Sequence, residues 1–198
     1  MSRVIAKMAA HRLLRRELPH IAELIYGAWH DYMAYPEEVR LDHTPRTRAS
    51  AVHDHMVSRA RRVFSVSVNA HCMEQGGLFV VMLYGRIALR FKKLDDDLRA
   101  SNIPTQQSIE FCSQELYLPG IKKVTYLQAG YTLNRTQTGL SGAYVACPDG
   151  IGNHWDIPLS IADSAENVVK LPVRRQTAPR FVSKVELPTE KRGDGEDV

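Results

Sequence analysis

Apolar residues first recur with the period of a helix. Ile21, Leu24, Ile25, Ala28, Trp29 and Tyr32 fall at i, i+3, i+4, i+7, i+8 and i+11. They predict one amphipathic helix beginning near Pro19, where proline is tolerated in a first turn. A second stripe, Ala49, Val52, Met56, Ala60, Val63 and Phe64, predicts another helix. Thr44 is its expected N-cap and Pro45 its first residue, because a hydroxyl can accept from free amides and proline has no amide to leave unpaired. The segment between them, Tyr35–His43, carries a proline and mixed charge and reads as a loop. The period then changes. Leu78–Leu83 is an unbroken apolar run, as in a strand buried on both faces. Tyr84-Gly85-Arg86 supplies a turn, and the return strand alternates Ile87, Leu89 and Phe91 against Ala88, Arg90 and Lys92. A hairpin over 78–93 with an apolar inner face and a cationic outer face is therefore expected.

Asp95-Asp96-Asp97 and Ser101-Asn102 mark a solvated connection. From Pro104 to about Gln114 the pattern predicts a short helix with Ile109, Cys112 and Leu116 inward, closed by the turn residues Leu118-Pro119-Gly120. Val124–Leu133, Leu140–Cys147 and His154–Leu159 have strand composition, separated by Thr136-Gln137-Thr138-Gly139 and by Gly150 and Gly152. Helices followed by mostly sequential strands argue for an α+β fold. It comprises two N-terminal helices, then a mainly antiparallel sheet of four or five strands with one inserted short helix, and helices on one face. Residues 1–160 form one domain in this reading, and 161–198 form an extended, partly disordered tail whose last residues are polar and charged.

Composition narrows the class. The 44% hydrophobic and 24% charged residues are ordinary for a globular protein. No apolar run approaches the ~20 residues of a membrane helix, and no continuous apolar segment precedes Arg12, Arg15 and Arg16 as a signal peptide would require. Neither membrane nor secretion is expected. Three widely spaced cysteines, Cys72, Cys112 and Cys147, suggest no disulfide framework and fit a reducing compartment, the cytoplasm. The net charge of +4 and pI near 9.0 come mostly from arginine, clustered at Arg15-Arg16, Arg46-x-Arg48, Arg59-x-Arg61-Arg62 and Arg174-Arg175. Guanidinium groups bond phosphate bidentately and stack on bases, so nucleic acid is a candidate partner; a solvated surface is the plainer account of the same residues.

Specific chemistry is harder to place. His53-x-His55 would put its rings about 200° apart on a helix, unlike the i, i+3 or i, i+4 pairs that hold metals, so no metal or cofactor is expected. A metal nuclease wants a Glu/Asp-x-Lys on its second strand, and Arg90-Phe91-Lys92 has arginine in the carboxylate's place. The Arg-x(4–6)-His spacing of an all-helical, metal-free ribonuclease occurs at Arg48–His53, Arg48–His55, Arg15–His20 and Arg46–His53, as often as composition alone would produce it, and the β-rich second half disagrees with an all-helical fold. Cys112 is expected to be an inert core thiol. Gly76-Gly77 precedes a strand, not a helix, which is the wrong order for a phosphate loop. What remains is a basic patch: Arg86, Arg90, Lys92 and Lys93 on the hairpin, followed by Asn102, Thr105 and Gln106, whose polar side chains could serve backbone or base contacts. A helix cap and a solvated strand face would use the same residues.

Arg90-Phe91-Lys92-Lys93-Leu94 followed by Asn102-Ile103-Pro104-Thr105-Gln106 resembles a family of uncharacterised bacterial and phage proteins. The likeness runs from about Ile21 to Leu159 and includes Gly27-Ala28-Trp29, Leu118-Pro119-Gly120-Ile121 and Gly130-Tyr131-Thr132-Leu133-Asn134. Members lie beside a helix-turn-helix regulator joined to a zinc-peptidase-like domain, an arrangement similar to a toxin–antitoxin or prophage control module. The resemblance implies a protein partner and an effector, toxin-like role, and it assigns no catalytic residue. Two readings stay open: an effector acting on or binding nucleic acid under a partner's control, and a non-catalytic module contacting nucleic acid or an acidic protein. Oligomeric state and reaction are not legible in the sequence.

Overall fold

The computed structural model describes residues 4–100, 105–118, 120–121 and 123–161. The expected tail at 161–198 lies outside the described residues beyond Ile161. Four helices precede the sheet: α1 (Lys7–Leu14), α2 (Leu18–Met33), α3 (Glu37–Asp42) and α4 (Pro45–Phe64). The two apolar stripes predict α2 and α4. Thr44 caps α4 as expected, its Oγ1 accepting from the Thr47 amide at 3.1 Å. The expectation of two helices is corrected to four, and that of a loop over 35–43 to a segment containing α3. In α1 only Ala10 and Leu14 are buried, and α3 buries nothing. Neither shows a stripe long enough to declare a period. Glu37 and Glu38 stand in the first turn of α3 and Arg40 in its last, which suits the helix dipole.

Six strands lie in sequence order: β1 (Ala70–Gln75), β2 (Leu78–Leu83), β3 (Ile87–Lys93), β4 (Thr125–Leu133), β5 (Leu140–Pro148) and β6 (Asn153–Leu159). All neighbours are antiparallel except β3 and β4, which run parallel from Ile87↔Thr125 to Lys93↔Tyr131. The strand beyond the expected four or five is β1, an edge strand buried at Ala70 alone. Its marker is Gly76-Gly77: both residues take positive φ, and Gln75↔Leu78 closes a two-residue hairpin.

A parallel pair needs a crossover, and here it carries α5 (Gln106–Cys112). That crossover puts helices on both faces. Residues of α1, α2 and α4 pack with Phe79, Val81, Leu83, Ile87, Leu89 and Phe91. Phe111 of α5 packs with Leu78, Val80, Met82, Ala88 and Tyr126 on the other face. The expectation of helices on one face is thus corrected, and full burial of β2 follows from the two layers. In α5, Ile109 is 49% exposed, so the inward residues are Ser108 and Phe111.

Three local arrangements hold these layers. Arg59 of α4 bonds Asp31 of α2 through two contacts of 2.7 Å, and Tyr35 Oη lies 3.0 Å from His55 Nε2. Gly27 makes room for that guanidinium, since a Cβ there would stand 2.5 Å from Arg59 Nη1. Gln114, with φ +62°, turns its amide into the core: Nε2 donates to the Tyr126 and Pro148 carbonyls at 2.8 and 2.9 Å, and Oε1 accepts from the Tyr126 amide at 2.8 Å. Gly130 faces Lys92 across the parallel pair, where a Cβ would run into the Lys92 carbonyl.

Candidate functional site

The β2–β3 ladder runs from Leu83↔Ile87 to Val81↔Leu89 and stops there, although β2 starts at Leu78 and β3 continues to Lys93. The second half of β3 is therefore paired on its β4 side alone. The first turns of α4 and the start of α5 border it, leaving a cleft of about 690 Å³ lined by Arg46, Ser50, His53, Asp54, Arg90, Lys92, Lys93, Thr105 and Ser108 among others. Three further cavities measure about 230, 260 and 170 Å³. On α4 the stripe Arg46, Ala49, Ser50 and His53 has its own helical spacing beside the core stripe of Val52, Met56 and Ala60. One helix thus serves the core and the cleft.

The structure brings four of the seven sequence-predicted residues to this cleft. Arg90 is half-buried, with its guanidinium 5.0 Å from the centroid of the Phe111 ring. Lys92 is half-buried beside it; burial, and then the charge of Arg90, push its pKa down to about 8. Lys93 follows, and Thr105 caps α5 through a reciprocal pair with Ser108. The expected solvated outer face of β3 is corrected: α5 covers it, and the cations sit in a recess.

The other predicted residues fall elsewhere. Arg86 is exposed in the turn at the opposite end of β3, roughly 20 Å from Lys92 at the rise of a strand. Gln106 is exposed and donates to Glu110 Oε1 at 2.8 Å on the outside of α5. Asn102 lies outside the described residues.

Arg46, Ser50, His53 and Asp54 are residues that sequence reasoning did not place in this site. The polar stripe of α4 was the available signal, but nothing in the chain tied it to β3. His53 and His55 diverge as their spacing requires, His53 toward the cleft and His55 toward Tyr35, just after the end of α2. His53 Nδ1 lies 3.4 Å from Asp54 Oδ1. Burial lowers the pKa of this imidazole below its ordinary value; Lys92 and Arg90 act in the same direction and Asp54 against it. The ring is accordingly neutral at pH 7.

Among the described residues, positive charge in the cleft outweighs negative. Elsewhere Arg59 pairs with Asp31, Arg61 with Glu74, and Arg99 with Asp95 and Asp97. Among the described residues Arg46, Arg90, Lys92 and Lys93 make no ion pair, and Asp54 is the one carboxylate in the lining. Of the Arg–His spacings noted above, Arg46 and His53 share this wall, whereas Arg48 is turned to the Gln137 carbonyl at 3.2 Å. Cys112 is half-buried, not fully inside; its sulfur takes a 3.4 Å contact from Gln128 Nε2, and burial raises its pKa, which leaves it a poor nucleophile. No group of three or more His, Cys, Asp and Glu side chains suited to a metal ion occurs among the described residues. Set against family models, curated proteins and solved structures, the chain matches none.

Proposed function

We propose that the cleft binds the phosphate backbone of nucleic acid, and that the chain is the effector of a two-gene, toxin–antitoxin-like module restrained by a protein partner. The binding half of this reading is carried by one observation: Arg46, Arg90, Lys92 and Lys93 converge on one cleft without an ion pair among the described residues. Lys92, whose pKa is pushed down to about 8 by burial and then by the charge of Arg90, is stabilised in its charged form when an anion enters. Phosphate supplies that anion, and Arg90 adds a planar donor fork suited to it. The effector half rests on the family resemblance.

Binding is tested by fluorescence anisotropy with labelled single-stranded oligonucleotides over a salt series. Four phosphate contacts give a slope of log K against log salt near −2.8, so affinity falls roughly 50-fold between 50 and 200 mM salt. Exchanging Arg90 and Lys92 together for glutamine halves that slope, whereas Arg86→Gln leaves it unchanged. Absence of binding at 50 mM salt rejects the reading. For the effector role, expression of this chain alone arrests growth and co-expression of the partner gene restores it; a harmless clone that still binds nucleic acid supports the non-catalytic module instead.

A further inference from the structure

We propose that His53 and Lys92 make the cleft a ribonuclease site, in which the ribose 2′-hydroxyl of a bound RNA strand is the nucleophile. This deepens the nucleic-acid reading and rests on it. Among the described residues the lining offers one imidazole and one carboxylate, too few donors to fix a divalent ion, so the chemistry it favours is one in which the substrate brings its own nucleophile. RNA does so and DNA does not.

The parts stand on opposite walls. His53 projects from α4 with Nδ1 toward Asp54, which leaves Nε2 as the basic nitrogen. Lys92 and Arg90 come from β3, close enough for their charges to act on the imidazole. In the step, His53 Nε2 takes the proton of the 2′-hydroxyl as O2′ forms its bond to phosphorus. The P–O5′ bond breaks, and the ammonium of Lys92 gives its proton to the departing O5′. Arg90 faces the charge that builds on the non-bridging oxygens. The products are a 2′,3′-cyclic phosphate and a 5′-hydroxyl, and the two side chains regain their starting states by exchange with water. His53 must be neutral and Lys92 protonated, so activity rises through the depressed pKa of His53 and falls near pH 8. Among the described residues the charged groups sharing the cleft with the imidazole are Asp54 and Arg46 of its own helix and Arg90, Lys92 and Lys93 of β3; α5 presents hydroxyls there.

The test is single-turnover cleavage of an end-labelled RNA oligonucleotide in EDTA, with full-length protein in excess of Kd so that changes in affinity drop out. The matching DNA strand serves as control, and ends are identified by mass spectrometry. The wild-type chain is expected to cut RNA, leave DNA intact and produce cyclic-phosphate ends with a bell-shaped pH profile. His53→Asn lowers the rate by at least about 100-fold. Lys92→Arg moves the alkaline limb upward. Asp54→Asn, at an exposed position that does not threaten the fold, shifts the acidic limb downward because it removes the carboxylate that raises the His53 pKa. RNA that binds but is not cut overturns ribonuclease activity and leaves the binding reading standing. Cleavage by His53→Asn at the wild-type rate, or ends carrying a 5′-phosphate, overturns the assignment of roles. Failure to bind any RNA overturns both readings.

Discussion

Gly130→Ala probes the junction that holds both the sheet and the cleft together. Lys92 and Gly130 are register partners in the parallel pair, and a Cβ at 130 would collide with the Lys92 carbonyl and stand 3.0 Å from Leu94 Cγ. Backbone cannot swing aside as a side chain can, so β3 and β4 must separate locally. Overpacking of this kind costs about 1–3 kcal/mol, and each ladder hydrogen bond lost on parting the strands adds about 1 kcal/mol. Alanine's smaller unfolded-state entropy returns about 0.4–1 kcal/mol. The net loss is about 2–4 kcal/mol, which lowers Tm by roughly 5–15 °C in a domain of this size. Differential scanning calorimetry measures it directly. Gly120→Ala is the control: Gly120 has φ +76° but open space around its Cβ position, so that variant bears only a backbone strain of about 1 kcal/mol. Equal melting of the two variants, or a Gly130→Ala protein within 1–2 °C of wild type, would refute the close approach of β3 and β4.

Two further predictions concern the buried polar contacts. Gln114→Leu strands the Tyr126 amide and two carbonyls in the core, and it should cost about 2–4 kcal/mol, read as a fall in the urea midpoint at unchanged m-value; wild-type stability would show that Gln114 is not the plug described. Arg59 holds the Asp31 pKa below its ordinary value, chiefly through their hydrogen bonds. The folded carboxylate thus binds its proton less tightly than the unfolded one, so the stability gained is present above the ordinary carboxylate pKa and is lost as pH falls through the depressed value. Arg59→Met should cost about 1 kcal/mol at pH 7 and flatten the acid side of the stability curve. An unchanged acid slope would count against the pair.

The elements legible in the sequence are those whose burial is one-sided and long. α2 and α4 carry full apolar stripes, and the β2–β3 turn shows a glycine between an apolar run and an alternating strand. α1 and α3 bury too little to reveal a period, and β1 is an edge strand whose polar sequence hides its pairing. Alternation on β3 correctly separates Phe91 from Arg90 and Lys92, yet it cannot say that a crossover helix covers the cationic side. The cleft was half legible for the same reason. Its β3 wall is written in adjacent residues, whereas its α4 wall is brought there by tertiary packing alone. Several residues that carry the family resemblance prove to be scaffold: Gly27 admits Arg59, Gly130 admits Lys92, and Asn134 Oδ1 accepts from the Thr138 and Gly139 amides to close the turn before β5.

The single parallel pair also sets an order of assembly. β1-β2-β3 and β4-β5-β6 are each meanders whose neighbours are joined by short connections, and such local contacts form quickly. β3 meets β4 only after the crossover has closed, and the loop-closure entropy of that connection is shared by this seam and by the contacts of α1 and α2 with the later strands. Contact order therefore predicts that the two half-sheets form first and join last, at the strand that carries Arg90 and Lys92. The lining of the cleft comes from α4, β3 and α5, so among the described residues the second half-sheet reaches it only through the β4 side of β3.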